Sequence, residues 1–322
     1  MFKIKKSSAF SLVELSIVML IISIIITATL TIYKSNTTNS NLKETNDKLT
    51  LINQAIAVYV SENRRLPCPA SIKEVKSSTN YGTEVGSPGS CSGTGVYYTG
   101  NSSADNLVYG MLPTKALAID SDIAEDGFGS KFSYIVSKPF TESYSNNDGF
   151  EGTDTNAAGV VMIIKNSDAT IINSQAVFTV ISHGPNRLGA YSALGATQNS
   201  ITGITGEEND NILDSEATPN YDNIFIINSD DSDYDDILLY KSRIEIAKDA
   251  GFEFMRCRDD ILYSYNPCGS SYYWFSGGYY GETVNNTGDA TCNDNGCSSG
   301  SQIPARTCGK YGEWEEDIAN PC

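Results

Sequence analysis

A single carboxylate inside a long apolar run constrains this chain more than any other feature. From Phe10 to Ile32 the sequence reads FSLVELSIVMLIISIIITATLTI, apolar apart from Ser and Thr and one acid, Glu14. At ~1.5 Å per residue such a run spans a ~30 Å hydrocarbon core as one helix, to about residue 33. Lys3, Lys5 and Lys6 precede it, and positive charge stays on the cytoplasmic side, so everything after the run is expected across the membrane. A carboxylate in such a segment costs roughly 2.5–3.5 kcal/mol, so Glu14 needs a cationic partner. Cleavage between Ala9 and Phe10 would create one. The new α-amino group lies four residues, about one helical turn, from Glu14, and the same amine on a neighbouring subunit is equally well placed.

Two plainer readings compete. An ordinary signal peptide is disfavoured, because the run is too long for its apolar region and ends without a small-x-small cleavage site. A plain signal anchor stays open. The segment KKSSA-FSLVELSIVMLIISIIITATL nevertheless resembles the N-methylation leader of type IV prepilins and type II secretion pseudopilins: basic leader, small residue before the cut, Phe at mature position one, Glu at mature position five. The resemblance implies removal of residues 1–9 by prepilin peptidase, methylation of the Phe10 amine, and assembly through Glu14 with other pilin or pseudopilin subunits. It also implies an inner-membrane assembly platform and its ATPase as partners. The chain would then sit in the bacterial inner membrane with a periplasmic head before entering a filament. Ala9 stands where the family usually has Gly, which implies slower processing without loss.

Beyond the membrane the apolar positions Leu42, Leu49, Ile52, Ile56 and Tyr59 recur at helical spacing among charged residues, extending one helix over 10–64. Pro67 and Pro69 end it. From 65 to 250 short strands alternate with polar loops, most clearly at 132–136, 160–164, 176–181, 224–227 and 237–240. The expected fold class is α+β: a pilin-like long helix, transmembrane in its first half, packed on an antiparallel sheet. RLPCPA at 65–70, GMLP at 110–113, EDGFG at 125–129, ISHGPNRLGAY at 181–191 and YDDILLY at 234–240 follow a pattern similar to large minor-pilin-like proteins of proteobacteria.

The formal net charge is −17, and loss of the leader lysines makes it more negative. That excludes nucleic acid as a direct ligand and favours cations. Two acidic loops, 207–216 and 228–237, stand out. Asp231, Asp233 and Asp235 have the alternate spacing of an EF-hand, but Asp236 replaces the required Gly and Ser242 the closing Glu. The end of the head also looks like that of the major pseudopilin of type II secretion, which implies a calcium site using Asp235 or Asp236 with carbonyls near Ser182 to Gly189. A solvated acidic loop is the simpler reading. His183 beside Ser182 invites a hydrolase reading, yet no G-x-S-x-G elbow surrounds any serine and no phosphate-binding loop is present, so no enzymatic role is expected.

Of eight cysteines, Cys68 and Cys91 are the only two before residue 257, and pairing them is the economical choice, worth about 3–4 kcal/mol in chain entropy. Cys257, Cys268, Cys292, Cys297, Cys308 and Cys322 crowd into 251–322, read as a small disulfide-rich module. A zinc site fails on spacing and on the single histidine. The aromatic run from Tyr272 to Tyr280 reads as core and rim of that module, or as a recognition surface. A bulky addition of this kind suits a minor subunit at a filament tip better than a major pilin. A tip adhesin, with the module binding a surface or glycan, is the alternative.

Overall fold

The computed structural model describes residues 12–99, 107–142, 162–166, 168–202, 206–212, 223–228 and 234–252, and beyond these five short strands. Helix α1 runs unbroken over Leu12–Asn63, 52 residues without Gly or Pro and about 78 Å long. It stops at Arg64, which adopts a left-handed φ of 56° while its N–H still donates to the Val60 carbonyl at 2.9 Å. The guanidinium of Arg64 lies over the Phe252 ring, 4.2 Å from its centroid. Pro67 and Pro69 then carry the chain away extended.

The head is built on a seven-stranded sheet ordered β1 (Tyr97–Thr99), β2 (Leu107–Met111), β3 (Ser133–Ser137), β5 (Ile171–Ser182), β4 (Met162–Asn166), β6 (Ile224–Asn228), with β7 (Ile237–Ser242) also on β5. The pairings are antiparallel, as expected, except β4 with β6, which is parallel. A hairpin cannot make a parallel pair. Here the chain runs through β5 and a long connection before β6 returns beside β4, which permits it.

Alternation along the strands divides the core. Val108, Tyr134, Val136, Phe178 and Val180 join Leu49, Ile52, Ile56, Tyr59 and Val60 of α1 in one cluster. Leu107, Tyr109, Met111, Ile135 and Ile181 belong to a second, closed by Ala70, Ile72, Tyr81, Ala124 and Tyr191. Among the described residues the second face is thus covered by loops and a short 3-10 turn. Burial on both faces explains why the strands read as near-continuous apolar runs. Full burial of a side chain such as Ile52 or Ile56 contributes about 1.5–3 kcal/mol.

Cys68 and Cys91 form a disulfide, with Cα atoms 5.2 Å apart. It lies in the helix-side core, so it ties the segment leaving α1 to the loop before β1. Helix α2 (Arg243–Asp249) follows β7 directly through a capping box of Ser242 and Glu245, and buries Ile246 and Ala247 in the cluster that α1 enters.

Beyond Phe252 the described elements are a hairpin of β8 (Asp260–Ser264) with β9 (Ser271–Phe275) and a small sheet of β10 (Thr283–Val284), β11 (Arg306–Cys308) and β12 (Trp314–Glu315). Cys257, Cys268, Cys292, Cys297 and Cys322 lie outside the described residues, and Cys308 ends β11. A disulfide-rich module at this end is therefore not shown.

Candidate functional site

Two features bear on function: the part of α1 that leaves the head, and an acidic cluster at the end of β5. From Leu12 to Thr27 every α1 side chain is exposed, and Leu12, Val13, Leu15, Ile17 and Ile24 each show more than half their surface. A helical stretch this apolar and this exposed needs lipid or other helices around it. Glu14, the one acid in its first turn, is exposed among these apolar neighbours. Ala9 and Phe10, where the cut is expected, lie outside the described residues.

Among the described side chains α1 is first buried at Thr45, and there the head grips it. The Gly127 N–H donates to Thr45 Oγ1 at 3.0 Å, and the Lys48 ammonium donates to the Glu125 carbonyl at 2.9 Å. Thr45 in turn donates to the Asn41 carbonyl. The gripping loop, residues 125–129, is held by Asp126, whose Oδ1 accepts from Phe128 N at 2.9 Å and Ser130 N at 2.8 Å. Burial pushes the Asp126 carboxyl up, against the pull of these bonds and of the Ser182 hydroxyl. The EDGFG motif is thus a collar around the point where α1 emerges.

The carboxylates of Glu208, Asp235 and Asp236 converge within 4.8 Å of one another. Asp235 and Asp236 enter from the start of β7, and Glu208 from a 3-10 turn at Gly206–Asn211. Asn186, in the loop after β5, bridges the cluster: its N–H donates to Asp235 Oδ2 at 3.0 Å and its amide to Glu208 Oε1 at 2.7 Å. Asn211 Nδ2 donates to Asp236 Oδ2 at 3.0 Å. Asp235 Oδ1 and Asp236 Oδ1 are buried without a hydrogen bond. Burial, reinforced by the charges of Glu208 and Asp236, pushes the Asp235 carboxyl up to about 7 despite the Asn186 N–H. Buried carboxylate oxygens left open, with three acids facing one another, fit a hard divalent cation such as calcium. Sequence singled out Asp235 and Asp236; Glu208 lay unremarked inside the acidic run at 207–216.

Ser182 and His183 do not form a pair. Ser182 Oγ donates to Asp126 Oδ2 at 2.7 Å, while His183 Nε2 meets Ser133 Oγ at 2.8 Å. His183 Nδ1 lies 3.6 Å from Asp236 Oδ1. The order Asp236, His183, Ser133 copies that of a hydrolytic triad, but all three side chains are buried and Ser133 also bonds the Tyr109 hydroxyl at 2.8 Å. Sealed in this way, the Ser133 hydroxyl has no open face for a substrate.

Residues 4–30 match the family model of the prokaryotic N-terminal methylation motif. The chain carries a prepilin-type leader. That leader marks the precursor of a type IV pilin-like or pseudopilin subunit, processed by prepilin peptidase and assembled with other pilin subunits. It implies membrane anchoring followed by entry into a filament. No curated protein and no solved structure matches the chain. Among the described residues no helix is long and apolar enough to cross a membrane.

Proposed function

We propose that this chain is a minor pilin or pseudopilin of a type IV pilus or type II secretion system, placed at or near a filament tip and working by assembly, without catalysis. The observation that carries this reading is the division of α1. Its residues from Thr45 to Val60 bury one stripe in the head, while the stretch from Leu12 to Thr27 is apolar on every side and exposed. Before assembly, residues 10 to about 33 span the inner membrane; in the filament the same surface packs against helices of other subunits. Glu14 pairs with the methylated amine of Phe10, in its own chain or a neighbour's. An assembly platform and its ATPase supply the energy. The chain after Phe252 suits a sparse or terminal position better than a stacked one.

Within the head, Glu208, Asp235 and Asp236 hold one calcium ion. Bound there, the cation neutralises three facing carboxylates and takes up the Asp235 oxygen left without a hydrogen bond. Mass spectrometry of the membrane-extracted protein tests the main reading. The expected mature terminus is N-methylated Phe10, and a chain retaining residues 1–9 in cells with active peptidase, with no presence in sheared filaments, would sink it.

A further inference from the structure

The acidic cluster and the collar are joined by a short run of buried contacts. Gly184 packs so closely on Asp235 that a Cβ there would sit 2.3 Å from the Asp235 carbonyl oxygen and 2.5 Å from Oδ1. Its φ of 54° is a left-handed conformation, open to glycine without strain. Gly184 N donates to Ser182 Oγ at 3.4 Å, and Ser182 donates to Asp126 Oδ2 at 2.7 Å. Asp126 Oδ1 holds the loop whose Gly127 N–H reaches Thr45 of α1. On the cluster side, Asn186 N binds Asp235 directly, so the segment 184–186 cannot stay still if Asp235 moves.

We propose that cation occupancy of the Glu208, Asp235 and Asp236 cluster is transmitted through Gly184, Ser182 and Asp126 to the collar, and sets how firmly the head holds α1 at residues 41–48. This inference rests on the cation reading given above. Three facing carboxylates without a cation repel, and the repulsion falls on Asp235 and on the loop packed against it. A cation pulls them together and presses that loop into one position, which steadies Ser182 and, through Asp126, the collar. In a filament the rigidity at 41–48 fixes the orientation of the head on its helix, so calcium outside the cell would act on assembly from a site far from the helix interface.

Hydrogen exchange of the full mature chain in detergent tests this, with calcium chloride as the probe and calorimetry measuring calcium binding in parallel. The expected result is exchange about tenfold slower with calcium both around 184–189 and in the peptides covering 41–48 and 125–130. Ser182→Ala is expected to keep calcium binding and protection at 184–189 while losing the slowing at 41–48. Thr45→Val, at the far end of the path, gives the same separation with the cluster and its surroundings untouched, and serves if the first variant folds poorly. Calcium binding with protection confined to 184–189 and 234–236 would overturn the coupling and leave the cation reading standing. No calcium binding at all would overturn both.

Discussion

Gly127 touches the backbone of α1 so closely that a Cβ on it would lie 2.2 Å from the Asn41 carbonyl oxygen. No flexible side chain can yield there, since the obstacle is helix backbone. Gly127→Ala therefore forces the loop and helix apart and breaks the bond to Thr45. We expect a loss of about 1–3 kcal/mol, typical of overpacking at a tight contact, together with faster hydrogen exchange at residues 41–48. Urea denaturation of the head followed by exchange measurements checks both, and unchanged exchange at 41–48 would show that the collar does not hold the helix.

Glu84 is the hub where the disulfide loop meets the end of α1. It takes both guanidinium nitrogens of Arg65, at 2.9 and 3.1 Å, and the Cys68 N–H at 2.6 Å, with the Tyr59 hydroxyl 3.3 Å away. Glu84→Ala leaves a largely buried Arg65 without its partner. The expected cost is about 2–3 kcal/mol, below the 3–5 of a fully buried pair because Glu84 retains 22% exposure. A double-mutant cycle with Arg65→Met separates the pair from the rest: if the coupling energy is near zero, the Arg65 contact contributes nothing.

Lys131 makes stability depend on pH in an unusual direction. Its buried ammonium donates to the carbonyls of Ile72, Glu74 and Gly195 at 2.7–2.8 Å, joining two loops, one at 72–74 and one at 195, to its own segment. Burial pulls its pKa from the ordinary 10.5 down to about 8, with Glu125 and Glu74 opposing. Between about pH 8 and 10.5 the unfolded chain holds a proton that the folded chain has lost, so this group's contribution makes the fold more stable as pH rises. Denaturation at pH 7.5 and 10 checks the sign. Lys131→Met is expected to remove that upward slope, beyond any uniform loss from the three unpaired carbonyls.

Calcium should stabilise the head by mass action. At one hundred times the dissociation constant the gain is about 2.7 kcal/mol, visible as a rise in Tm. Asp236→Asn is expected to abolish the rise, and Asn186→Asp, which adds an acid beside Glu208 and Asp235, to increase it at equal calcium. A Tm indifferent to calcium in the unmodified protein would show that the buried acidic cluster holds no calcium.

Much of this architecture is legible in the residues because it depends on local physics. An apolar run with a lone acid behind three lysines already indicates a cut, a helix and a leader, and the matched motif agrees with it. The 3.6-residue spacing of Leu49, Ile52, Ile56 and Tyr59 foretells the buried stripe, and the Pro pair its end, although Leu42 proves only half-buried. The strands read at 132–136, 160–164 and 224–227 each recur within two residues. The strand Leu107–Met111 carries a broken strand pattern in the sequence, since Gly110 interrupts it; glycine is required there because a Cβ would lie 2.5 Å from the Ala70 carbonyl oxygen.

The rest belongs to tertiary structure, because it brings together residues whose separation carries no local signal. Glu208 meets Asp235 only when a turn is laid beside β6 and the start of β7, so one acid among several becomes a ligand candidate by position alone. Ser182 and His183 are neighbours in the chain yet bond in different directions, to Asp126 and to Ser133, as successive residues at an extended strand end do. The grip of Gly127 on α1 needs a loop and a helix about eighty residues apart to touch at backbone distance. The sequence by itself determined a long apolar helix with a lone acid and, through the prepilin-type leader it carries, entry into a membrane and then a filament; three-dimensional packing decided how its head holds the helix, since only the folded core converts distant polar groups into one buried network.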